Sequence, residues 1–150
     1  MESEIAWQTD PNGMLIGARI HDSRLVGLAL IDDIRMEFKF RRLSGESVMI
    51  ALDGLHDFNA LQMSYGAIVS ELFVWNVESV PEETWNVPDG AWNVLFEKRF
   101  QPADHRRAAE KIVRAHPKSF LVQLDCSYGG SVAAACETVR VFEIGPQGGS

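Results

Sequence analysis

The sequence predicts an α+β fold, a mainly antiparallel sheet of about six to eight strands covered by one principal helix over about residues 102–116. Three observations carry that expectation. Ile34, Met36, Phe38 and Phe40 alternate with Arg35, Glu37, Lys39 and Arg41, the period-two pattern of a strand with one wet face. Asp32-Asp33 before this run and Ser44-Gly45-Glu46 after it are turn-forming sets that cut the neighbouring sequence into strand-length pieces. Pro102 to His116 has proline in its first turn, Asp104 at the positive end of the helix dipole, and Ala108, Ala109, Ile112 and Val113 as an apolar stripe, before Pro117 ends it.

The remaining elements follow in order. Met14 to Ile20 adds a leading strand to an antiparallel meander of Leu25 to Ile31, Ile34 to Leu43 and Ser47 to Leu52. The apolar face of that meander needs a cover, and the helix is expected to supply it. Ala67 to Val77 fits both helix and strand periods, and its β-branched and aromatic content favours strand. Val80 to Gly90 is punctuated as a loop by Pro81, Pro88 and Asp89-Gly90, after which Trp92 to Phe96 resumes a strand. Phe120 to Ser127 and Val132 to Ile144 are two further strands around a Tyr128-Gly129-Gly130 turn, with Thr138 to Ile144 as a candidate sheet edge. Ala133-Ala134-Ala135 is a weak strand former and marks a bulge or a close contact. Residues 1–144 are expected to form a single domain and residues 145–150 a flexible tail.

Composition narrows the function classes. Glu2 and Glu4 stand where a secretory signal would be positive, with no apolar run behind them, which predicts a cytoplasmic protein. No stretch approaches the roughly 18 apolar residues of a spanning helix, so a membrane role is not expected. Cys126 and Cys136 are too few for a disulfide framework and lack metal or redox spacing, and read as buried thiols.

Charge is segregated along the chain. Between Leu43 and Glu97 there is no Lys or Arg but nine acids: Glu46, Asp53, Asp57, Glu71, Glu78, Glu82, Glu83, Asp89 and Glu97. Lys98 to Lys118 then carries seven cations against Asp104 and Glu110. An acidic face repels nucleic acid and steers basic proteins, so a basic protein partner is expected and nucleic acid is not. Trp-Asn-Val occurs at Trp75, Trp85 and Trp92, all inside the acidic window. Tryptophan ringed by acids suits an anchor for such a partner, with Trp85, in its Pro-rich loop, foremost. The partner-binding set is Glu78, Glu82, Glu83, Trp85, Asp89 and Trp92.

Chemical motifs are sparse. His21-Asp22 and His56-Asp57 are adjacent pairs on strands, where neighbouring side chains point to opposite faces, so they are not expected to converge on a metal ion. Neither cysteine is placed beside a base, and no phosphate loop, GxGxxG, HExxH or GxSxG pattern occurs. No cofactor, no metal and no catalytic residue is expected.

His21-Asp22-Ser23-Arg24-Leu25, the meander through Phe38 and Phe40, Leu52-Asp53-Gly54-Leu55 and Gly66-Ala67-Ile68-Val69 together resemble small uncharacterised bacterial proteins, including immunity proteins of polymorphic toxin systems, over about residues 14–77. The resemblance implies a non-enzymatic α+β protein that neutralises a toxin by occluding its active site, and it carries over no binding residue. The function expected is therefore a non-enzymatic protein-binding module, an immunity-type inhibitor of a basic partner. Two alternatives stand beside it: a small-molecule-binding domain or enzyme with a pocket near the Trp85 to Trp92 loop and His21 or His56 at its rim, and a homo-oligomer built by pairing edge strands.

Overall fold

The computed structural model describes residues 2–128 and 130–145. Short strands open the chain: β1 (Glu2–Ile5), then β2 (Gln8–Thr9) paired with β3 (Leu15–Ile16). The leading strand expected over Met14 to Ile20 is thus reduced to two residues. The meander follows as β4 (Arg24–Ile31), β5 (Arg35–Arg41) and β6 (Ser47–Leu61). Asp32 and Asp33 make the first turn at φ 52 and 58, the left-handed region that aspartate tolerates better than most residues. Beyond lie β7 (Val69–Asn76), α1 (Ala91–Phe96), α2 (His105–Ala115), β8 (Phe120–Cys126) and β9 (Ser131–Ile144). Pro102–Asp104 forms a 3-10 turn that leads into α2, so the predicted helix is present with its first turn tightened. The tail expected over 145–150 falls, from residue 146, outside the described residues.

Seven strands form one antiparallel sheet in the order β4-β5-β6-β9-β8-β7, with β1 on β9 beside β8. The sheet is α+β in class, yet its ends meet. Asp22 N donates to Val69 O, Val69 N to Ser23 O, Leu25 N to Ala67 O and Gly66 N to Leu25 O, each at 2.8–2.9 Å. The chain entering β7 is therefore paired with the start of β4, closing the sheet at one corner into a strongly staggered barrel. One way round, Arg24 lies level with Arg41, Ser47 and Ile144; the other way it meets Ile68, level with the start of β9.

Alternation then does what a helix was expected to do. Phe38, Phe40, Ile50 and Leu52 of the meander face Leu72, Val122, Val132 and Val141 of the far strands in one buried cluster. The meander's apolar face is covered by the sheet itself, and the expectation of a helical cover there is corrected. The helices instead cover the outer face of β6, β8 and β9, where Leu121, Ala133 and Ala135 pack with Trp92, Leu95 and Phe96. The alanine run is a close contact, as one of its two expected roles required: small side chains let α1 sit against β9. A bulge does occur opposite it, in β6 between Leu55 and Asp57.

Two further expectations are overturned. Trp92 to Phe96 is helical, because in a six-residue helix Ala91, Trp92, Val94, Leu95 and Phe96 can all be buried at once, whereas a strand would turn alternate residues away. Thr138 to Ile144 is no edge: β6 pairs with it on one side and β1 covers its last residues on the other. No described helix is long and apolar enough to cross a membrane.

Candidate functional site

The loop between β7 and α1 is held by its own polar residues. Pro81 leads into a 3-10 turn over Glu82–Asn86, Thr84 Oγ1 donates to Pro81 O at 2.7 Å, and Asn93 Nδ2 donates to Val87 O at 2.9 Å. Gly90 is packed so tightly that a Cβ there would lie 1.9 Å from Thr84 O, so the turn into α1 requires glycine. From the barrel, Gln123 Nε2 donates to Asp89 O at 2.6 Å.

These bonds set Trp85 on the surface of the second core. Its ring lies 6.4 Å from that of Trp92 with the planes 11° apart, and Trp92 stacks in turn on Phe96. Trp92 is only 3% exposed, so its expected role as a partner contact is corrected: it is the buried support beneath Trp85. Trp85 itself is half-buried. The Arg106 guanidinium sits 4.8 Å from its ring centroid and 2.5 Å from Glu82. Trp85 and Arg106 form a ridge between two hollows. One, of about 480 Å³, has Val77, Val80 and Val113 in its wall and Glu78, Glu110 and Arg114 at its rim; the other, of about 620 Å³, contains Pro88, Pro102, Asn93 and His105.

Folding redistributes the charge that the chain segregates. Of the nine acids in the cation-free window, Glu46 pairs with Arg42, Asp53 with Arg35, Asp57 with Arg99 and Glu82 with Arg106. Two of these cations come from the basic segment that follows, so the acidic face is partly neutralised from within the chain. Among the described residues Glu71, Glu78, Glu83, Asp89 and Glu97 form no ion pair. Glu78, Glu83 and Asp89 are exposed. Burial pushes the Asp125 carboxyl up, against the hydrogen bond from Ser131, and the nearby Asp89 and Glu71 raise it further.

His21 and His56 do not share a site. His21 is exposed, its Nδ1 2.6 Å from Ser70 O. His56 sits at the β6 bulge, which turns both His56 and Asp57 toward the helical side, an exception to strict alternation. Its ring stacks on His116 at 3.6 Å, and its Nε2 lies 2.9 Å from Ser119 Oγ. Ser119 is buried at 4% exposure, and the contact fastens β6 to the turn after α2. Burial first, and the His116 charge second, hold the His56 imidazole below its usual range, with Glu137 opposing. His105, rather than His21 or His56, borders the hollow beside Trp85. It is buried, with Nδ1 donating to Asn93 Oδ1 at 2.8 Å and Nε2 3.2 Å from Phe100 O. Its helical position relative to Trp92 was not legible while Trp92 to Phe96 read as strand.

Burial raises the Cys126 thiol to about 11 and that of Cys136 to about 12, consistent with inert core residues. Among the described residues no group of three or more His, Cys, Asp or Glu could hold a metal ion. No family model matches this chain, and comparison with curated proteins and with solved structures finds no match to either.

Proposed function

We propose that this chain is a non-enzymatic protein-binding module, an immunity-type inhibitor whose Trp85 ridge receives a basic side chain of its partner. The observation that carries the reading is the seat of Arg106: an indole face and the Glu82 carboxylate together already hold a guanidinium at the surface. An incoming arginine that displaces Arg106 finds both the cation–π face and the carboxylate in place. Glu78, Glu83 and Asp89, exposed around the ridge, add the field that steers a basic protein toward it.

The test is titration with an arginine-rich peptide, followed by tryptophan fluorescence at low and high salt, beside retention of partners from lysate under the same conditions. Trp85→Ala is expected to weaken binding about tenfold or more, a central aromatic anchor being worth about 2 kcal/mol or more. Glu78→Gln with Glu83→Gln should slow association while leaving dissociation nearly unchanged. Binding that ignores both salt and Trp85 would refute the reading.

A small-molecule reading is favoured by one observation, the hollow of about 620 Å³ beside Trp85 that brings Asn93 and His105 together, a volume within the usual range of ligand sites. Its signature is a ligand-induced shift of the His105 ring resonances that persists at high salt.

A further inference from the structure

The barrel protects most of its seams. The free side of β7 is covered by the β2–β3 hairpin, through Val74 N donating to Gly13 O at 2.8 Å and a bridge from Met14 to Phe73. A Cβ on Gly13 would lie 2.1 Å from Trp75 Nε1, so that cover is tight. The end of β9 is covered by β1. The first residues of β4 are covered by the segment entering β7. Gly27 to Ile31 of β4 lies beyond this closure. Among the described residues no backbone group from outside the β4–β5 hairpin bonds to it.

That run also lacks the devices by which edge strands avoid one another. Between Arg24 and Asp32 it has no charged residue and no proline, only a bulge between Leu25 and Gly27. Leu28 is 41% exposed and Leu30 43%, although both pair with inward-facing residues, Phe38 and Met36. Ile31 and Ile34 are exposed beside them. Ile31 O accepts from Ile34 N, so it points toward β5. Strand alternation then turns the N–H and C=O groups of Leu28 and Leu30 outward.

We propose that the Gly27–Ile31 edge of β4 is a self-association site, pairing antiparallel with the same strand of a second copy. Centred on Ala29, the pairing lets Leu28 of each copy exchange both backbone hydrogen bonds with Leu30 of the other, which joins the two barrels' sheets and brings four exposed leucines together. The ends of the strand select this occupant. Arg24 precedes the apolar run and Asp32-Asp33 follows it, so the antiparallel arrangement sets the acidic turn of each copy beside the arginine of the other. A parallel arrangement would set like charges together. The two-fold pairing is isologous and closes on itself, giving a dimer and not a fibre.

Sedimentation velocity across about 1 μM to about 1 mM reads the outcome, those limits spanning a range of about 4 kcal/mol in association free energy. The expected result is a monomer–dimer equilibrium that Leu30→Lys shifts at least tenfold toward monomer. Leu30→Pro removes only an outward N–H and should do the same, with circular dichroism showing that each variant is folded. Arg24→Asp should weaken the dimer, and Arg24→Asp with Asp33→Arg should restore it. A protein that stays monomeric throughout, or a dimer that Leu30→Lys and the charge exchange leave unchanged, overturns the proposal. The Trp85→Ala variant should dimerise like wild type, so this test stands apart from that of the ridge.

Discussion

The barrel interior and the core beneath the helices are built on opposite faces of the same strands, and they solve burial differently. The interior centres on apolar side chains, Phe38, Phe40, Ile50, Val122 and Val141, and the polar groups buried beside it, Ser23 and Arg42, bond to the carbonyls of Ile20 and Ala18 in the segment before β4. The outer core places aromatic rings among polar groups that need partners. Asn93 donates to Val87 O, His105 to Asn93, and Gln123 to Asp89 O. An apolar core tolerates any filling of about the right volume and shape, whereas a mixed core also requires each hydrogen bond to be made. The outer core, which reaches the surface at Trp85 and carries the proposed function, is the more exacting of the two.

The largest effect expected from breaking this comparison is in the interior. Phe40 is fully buried, and Phe40→Ala should cost about 3–5 kcal/mol in urea unfolding. A loss below about 2 kcal/mol would mean that the barrel relaxes around the cavity. In the outer core the sensitive test is polar. Asn93→Ala strips His105 and Val87 O of their partner and should cost about 1–3 kcal/mol. Ala135→Leu, which inserts methylenes between β9 and α1, should cost about 1–3 kcal/mol by overpacking, read as a shift of the urea midpoint at constant slope.

A pH series sharpens the same contrast, because the interior contributes no histidine. The folded-state pKa of His56 is depressed by burial and by His116, so the unfolded chain binds the proton first as pH falls. The stability concerned is complete above the ordinary histidine pKa of about 6.5 and is lost as pH falls from there through the lower folded value. Wild type should therefore lose urea resistance between about pH 7 and about pH 5 more steeply than His56→Gln does. Equal slopes would remove His56 from the account. The smallest effect belongs to the exposed rim, where Glu82→Gln should change stability by less than about 1 kcal/mol, and less still at high salt.

What was legible in the sequence tracks how local the signal is. Phe38 and Phe40 announce their strand through the charges between them, and Pro102 with the 108–113 stripe announces α2. Trp92 to Phe96 reads as a strand from sequence because so short a run holds too little of either period, and its bulky residues fit a strand equally well; only the contact of Asn93 with His105 marks the helix. For the candidate site, Glu82 and Trp85 were legible as residues of an acidic, proline-bounded loop. Arg106 was not, since nothing within twenty residues of it says that it will lie over Trp85.

By itself the sequence determined the α+β class, the meander, the principal helix, the turns at Asp32-Asp33 and Gly45, and an acidic loop centred on Trp85. These depend on the order of side chains over a few residues, which local backbone sterics translate directly into structure. Only the tertiary structure decided that the sheet closes from Leu25 to Ala67, that β9 is central and β4 partly bare, that the bulge turns His56 beside Asp57, and that cations of the basic segment neutralise acids of the window. Each of these is a contact between residues distant in the chain, and its free energy exists only once the intervening chain has been ordered, which no local pattern encodes.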